Sequence, residues 1–287
     1  MTDPAEPRSG ACEPTHRYWA LRTIWARDTR ALLLNPGTLV IFWLGALVSY
    51  LFLVNYVDTV AESGLNILSS SFNLPVYSFV LVISFFLTVA VVTTVARELE
   101  RGTLEILFYG PIDSVAYVGG KMLACATTYG AAIALGTCGY GVLTTISRFV
   151  LPASTWIVVG ISIPVVLYLV AFGIWLAAVT GKLRAALGWF LAIALLLLAV
   201  QFGPLLLTLA PSASQYYDPV RVLREVLEAV NRIVNWISPF GLLAQGTEAI
   251  RRGDVAHALI ALGGAVLYAA ALTAGSMRFL LPRGMRL

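Results

Sequence analysis

The residues that could do chemistry are few, and their spacing excludes most reactions. The two histidines, His16 and His257, lie far apart and cannot form a zinc pair of the HExxH kind. No Asp-rich group and no Ser/His/Asp set falls on one common segment. The cysteines Cys12, Cys125 and Cys138 make neither a CxxC site nor a disulfide framework. Gly119-Gly120-Lys121-Met122 lacks the upstream glycine and the following Ser/Thr of a P-loop, so the chain has no Walker site for ATP. Thr137-Cys138-Gly139-Tyr140-Gly141 is similar to a potassium-channel filter, but its 26-residue charge-free run is used up by one crossing. Its glycines suit close helix packing instead. No catalytic residue, metal site or bound cofactor is expected in this chain.

What remains is a chain built for lipid. Of 287 residues 59% are hydrophobic and 12% charged, against about 25% charged in a soluble domain. That composition cannot clothe a water-soluble surface of this size, so a soluble enzyme or nucleic-acid-binding domain is excluded. Six runs of 23 to 34 residues carry no Asp, Glu, Lys or Arg. About 20 apolar residues cross a hydrocarbon core of roughly 30 Å. Each run holds one crossing, which predicts an all-α polytopic membrane protein with spans near 38–57, 74–96, 122–147, 157–180, 188–210 and 255–277. Defined this way, the spans contain no ionisable group except His257, one turn into the last. Ion-coupled transporters usually need such groups inside the bilayer.

Six crossings put both termini on one side, and that side holds 13 of the 19 basic residues. The positive-inside rule makes it the cytoplasm, and the net charge of +4 is a topology signal rather than a sign of a nucleic-acid partner. The N-terminus has no basic and apolar signal regions, so residues 1–16 read as a disordered cytoplasmic tail. From residue 17 a helix carries Tyr18, Leu21, Trp25 and Leu32 on one face and Arg22, Arg27 and Arg30 elsewhere, with Asp28 intruding on the apolar face. A helix of this kind lies in the headgroup layer until Asn35-Pro36-Gly37 breaks it. On the outer side, Asp218-Pro219 and Ser238-Pro239 each open a short helix before the sixth span, and Gly253 closes the second. The 15 uncharged residues between Arg232 and Glu248 are too few to span. The pair serves as a packed cap or as a lid.

The densest charge lies between the second and third spans. There the chain reads Glu98-Leu99-Glu100-Arg101-Gly102-Thr103-Leu104-Glu105-Ile106-Leu107-Phe108-Tyr109-Gly110-Pro111-Ile112, ending at Gly120-Lys121. It reads as a short helix with a charged side and an apolar side, stopped at Gly110-Pro111, a shape suited to a groove on a partner.

This segment resembles the signature of ABC-2 family permeases of ATP-binding-cassette transporters. There Glu-(Arg/Lys)-Gly-Thr-(Leu/Ile)-Glu-x-Leu is followed by Pro-(Val/Ile) and then by Gly-Lys at the third span. Glu100, Arg101, Gly102, Thr103, Leu104, Glu105, Leu107, Pro111, Ile112, Gly120 and Lys121 match position by position. The short loop between the first two spans places the resemblance with compact members that lack a large external domain. It implies one transmembrane domain over 17–287, acting as the permease half of an exporter in the plasma membrane, the inner one where a cell has two. A second permease chain, identical or not, would pack beside it amid membrane lipids. A separate ABC ATPase would bind ATP and magnesium. Glu98, Glu100, Arg101 and Glu105 would contact that ATPase, with Thr103, Leu104, Leu107 and Lys121 in the same coupling element. Gly102 would permit tight approach and Pro111 would end the helix. The alternative is an ion-coupled secondary transporter or a channel.

Overall fold

The computed structural model describes residues 14–63, 73–109, 112–147, 153–207 and 217–284. Among them are ten helices and no strand: α1 (Pro14–Leu33), α2 (Pro36–Ser63), α3 (Asn73–Glu100), α4 (Thr103–Tyr109), α5 (Ser114–Ser147), α6 (Ala153–Thr180), α7 (Leu183–Leu207), α8 (Tyr217–Ile237), α9 (Pro239–Arg251) and α10 (Val255–Gly284). Six of these, α2, α3, α5, α6, α7 and α10, are long and apolar enough to cross a membrane. The expected 1–16 tail and the loop over 64–72 lie largely outside the described residues.

The spans overrun the charge-free runs that announce them. α5 starts at Ser114, not at 122, and is 34 residues or about 51 Å long. Arg97, Glu98 and Glu100 are the last turn of α3. Ionisable groups therefore do sit on spanning helices at their basic end. Counting charges marks where the hydrocarbon stops, whereas backbone hydrogen bonding carries the helix past that point. The filter-like stretch 137–141 is ordinary α-helix inside α5, so no re-entrant filter forms there.

The core is the crossing of α3 and α6. Val80, Ile83, Leu87, Val92 and Val95 on α3 are buried with Val165, Val166, Val170, Ile174 and Ala177 on α6. Lipid offers no hydrophobic drive for this contact, so close backbone approach must supply dispersion instead. Gly173 supplies that approach: a Cβ on it would lie 2.7 Å from the Thr88 Cγ2 and 3.0 Å from the Val92 Cγ2. α10 packs along α6, with Tyr168 and Tyr268 stacked at 5.4 Å. α2 and α7 sit at the periphery and turn Leu39, Trp43, Leu47, Leu195 and Leu196 outward. Trp189 also faces outward, and Trp175 stacks on Phe172 at 6.1 Å.

At the end opposite Lys121, α8 and α9 form a helical hairpin. Ser238 caps α9 with its side chain on the Gly241 N–H, and Pro239 follows in the first turn. Gly241 is forced by contact, since a Cβ there would meet the Asn235 carbonyl oxygen at 2.4 Å. Gly253, with φ of +77°, closes the hairpin before Asp254 opens α10 and caps it at the His257 N–H. α9 is tucked against α6 and α10, with Leu242 and Leu243 fully buried, so it is a packed cap. His257 is exposed beside Asp254 at 2.8 Å.

Candidate functional site: an ion cluster beneath the charged loop

The charged segment is two elements, not one helix. α3 runs to Glu100, Gly102 turns the chain with φ of +68°, and α4 begins at Thr103. The left-handed turn is what requires glycine, because a Cβ there would meet no atom within 4 Å. The Thr103 hydroxyl donates to the Glu98 carbonyl at 2.9 Å, satisfying one of the orphan acceptors at the end of α3. Leu104 is buried and seats α4 on the bundle, where it packs against α3 and α10. Ile106 is 73% exposed, so the apolar residues of α4 divide between an inner anchor and an outer point. Glu100 and Arg101 are exposed, and Leu107 is half-buried. Pro111 and the side chain of Glu105 lie outside the described residues.

Glu98 and Lys121 are placed differently from Glu100 and Arg101. Lys121 is 3% exposed, and its ammonium donates to the Asp28 Oδ2 at 3.0 Å and to the Glu98 Oε1 at 3.2 Å. Arg27 donates to the Asp28 Oδ1 at 2.8 Å and reaches the Glu98 Oε1 at 3.5 Å. The Tyr117 hydroxyl donates to the Glu98 Oε2, and its ring lies 5.2 Å from the Lys121 ammonium. Two cations thus meet two anions, and the cluster is neutral. Its members come from α1, α3 and α5, so it joins three helices at one point. The carboxylate of Asp28 holds the Arg27 guanidinium above its ordinary value by hydrogen bond, against the opposing effect of burial. Asp28, which spoils the amphipathic face of α1 in the sequence, is the partner of a buried lysine.

α1 has a protein seat along α5. Arg17 pairs with Asp113, Leu21 and Ile24 lie against Gly119 and Gly120, and Trp25 and Thr29 reach Thr127. These contacts advance in step along both chains, so α1 ascends beside α5 in parallel. Gly120 makes that contact possible: its missing Cβ would fall 2.8 Å from the Ile24 Cγ2 and 3.3 Å from the Leu21 carbonyl oxygen. The indole N–H of Trp25 donates to the Thr127 Oγ1 at 3.3 Å, while Tyr18 is exposed. Burial alone would raise the Asp113 carboxyl, but Arg17, the Val115 N–H and Ser114 together hold it below the usual carboxylate range. Tyr117, Asp113 and Thr127 carry no signal in the sequence by themselves. The helical offset of four from Tyr117 to Lys121, on a helix the charge count starts too late, could have joined that pair.

A helical bundle with six helices long and apolar enough to cross a membrane, a buried ion cluster and a charged element standing on it defines a multi-pass membrane protein. The sequence pattern of the family described as ABC-2 family transporter protein matches residues 26–281. The chain belongs to that family. No curated protein and no solved structure matches it.

Proposed function

We propose that this chain is the permease subunit of an ATP-driven exporter, with both termini in the cytoplasm of the cell bounded by its plasma membrane. ATP and magnesium would bind in a separate ABC ATPase chain, and a second permease would complete the path. The observation that carries the reading is the pairing of an exposed tip with a fixed base. Glu100, Arg101 and Ile106 project from the basic end, while Glu98, one turn below Arg101, is bonded to Lys121 and Tyr117. A force applied to α4 by a partner passes through Gly102 into α3 and, at Glu98, into α1 and α5 together. Membership of a transporter family supplies the rest of the support. In this scheme Glu100, Arg101 and Glu105 meet the ATPase, whereas Glu98 and Lys121 transmit.

The test is co-purification of the ATPase with a Glu100→Lys/Glu105→Lys permease, alongside its size-exclusion profile. Charge pairs desolvated in a docking groove cost roughly 2–5 kcal/mol when one partner is lost. Association should therefore weaken by about 30-fold or more, with insertion and dimerisation unchanged. Wild-type recovery of the ATPase together with undiminished transport would sink the assignment. Transport that survives ATP depletion and collapses with the proton gradient would favour an ion-coupled carrier.

A further inference from the structure

The face of α2 that looks towards α5 is not in contact with it along most of its length. Between the two helices lies an open groove of about 410 Å³, floored by Phe42, Phe79 and Ala132 and walled by Trp43 on one side and Leu135 on the other. The Tyr140 hydroxyl and Ser49 are hydrogen bonded across the two helices, and Ser49 donates to the Pro75 carbonyl of α3 at 2.6 Å. Those bonds occupy the Ser49 proton, and apart from the Tyr50 hydroxyl the remaining side chains of the lining are apolar. Gly136 and Gly139 hollow the α5 wall, and a Cβ on Gly139 would meet nothing within 4 Å.

We infer that this groove binds one acyl chain of a bilayer phospholipid, drawn from the leaflet at the basic end. Three observations choose that occupant. Both walls are membrane spans, and Leu39, Trp43 and Leu135, at 50%, 78% and 62% exposure, open the groove to the surrounding hydrocarbon. Its lining runs from Leu39 to Tyr50 along α2, eleven residue steps or about 17 Å, a little over half of a roughly 30 Å core and so about one leaflet deep. The apolar lining does not retain water, and an empty gap of that size forfeits the dispersion contacts of every atom around it. The Ser49–Tyr140 bridge closes the deep end, so the chain enters beside Leu39 with its methyl terminus against that bridge. Packed there, it adds to the support of α2, which rests on α3 and, by a few residues, on α1, and is bonded to α5 through Ser49 and Tyr140. The inference depends on the six-span reading alone and not on the ATPase.

The full chain, reconstituted in phosphatidylcholine nanodiscs carrying a trace of phosphatidylcholine with a diazirine near the end of one acyl chain, tests this. Photolysis should label the groove floor, at Phe42, Phe79 or Ala132, as strongly as the lipid-facing Leu195 and Leu196 of α7. Gly139→Leu and, separately, Ala46→Leu fill the groove from opposite walls. Each should cut floor labelling at least tenfold and leave Leu195 and Leu196 unchanged. Floor labelling below a tenth of that at α7 in the wild-type chain, or floor labelling that persists in both variants, overturns the site. So would crosslinks from Trp43 or Leu135 to a second copy of the chain in place of lipid.

Discussion

The two ends of the bundle are tied by different chemistry. At the basic end Asp28, Glu98, Lys121 and Arg27 join three helices through formal charges. At the other end, three ties between helices among the described residues are neutral. Tyr77 bonds with Thr247, Tyr168 donates to the Ile237 carbonyl at 2.7 Å, and Gln201 donates to the Ser238 Oγ at 3.1 Å. The difference follows from where each group sits. A charge deep in the hydrocarbon costs about 2.5–3.5 kcal/mol or more, so polar ties within a span are made from hydroxyls and amides. At the end of a span, charges are tolerated if every one is paired. A charged cluster also fails differently from a hydroxyl bond: remove one member and a bare charge remains, whereas a lost hydroxyl leaves only an unmade hydrogen bond.

Lys121→Ala tests that contrast most severely. It leaves Asp28 and Glu98, partly exposed, facing one half-exposed guanidinium, a loss that solvent screening keeps below the roughly 3–5 kcal/mol of a fully buried broken pair. The thermal midpoint of the detergent-solubilised chain should fall sharply, and α1 should become a substrate for trypsin. Adding Glu98→Gln should return much of the loss, because the second change removes an unpaired charge. A Lys121→Ala chain that melts with the wild type would show that the cluster holds nothing together.

Tyr168→Phe, at the neutral end, should cost far less. Hydrogen bonds between membrane helices average roughly 0.6 kcal/mol. The midpoint should move slightly, with the Tyr268 stack retained. A loss as large as that of Lys121→Ala would erase the distinction between the two ends.

A comparably small effect belongs to the partly exposed pair of Arg17 and Asp113. Because the Asp113 carboxyl is held below its ordinary value of about 3.9, its contribution is present at neutral pH and is lost as pH falls through the folded value. The amount is under about 1 kcal/mol for a pair this accessible. Hydrogen exchange in the first turns of α1, corrected for intrinsic rates, should rise from pH 5 to pH 3. In Asp113→Asn it should start high and stay flat. A wild-type profile as flat as the variant's would remove the pair from the account of how α1 is held.

Composition and the charge-free runs alone determined that the chain is helical, crosses a bilayer six times and carries a charged element between the second and third crossings. Hydrocarbon admits one backbone solution at this length, and that constraint is readable one segment at a time. Local cap chemistry was equally legible: Ser238-Pro239 and Gly253 stand where they were expected, since a cap depends on its immediate neighbours. The tertiary structure decided what each charge is for. Nothing local separates Glu98 from Glu100, two residues apart. The helical turn between them sends one to Lys121 and leaves the other exposed. Asp28 and Lys121 are 93 residues apart in sequence, and no period or motif spans that distance. Their meeting depends on Gly120 letting the Ile24 side chain approach its backbone, a contact that exists only once α1 and α5 lie side by side. The sign of a side chain is written in the sequence, whereas its partner is chosen by how the helices pack.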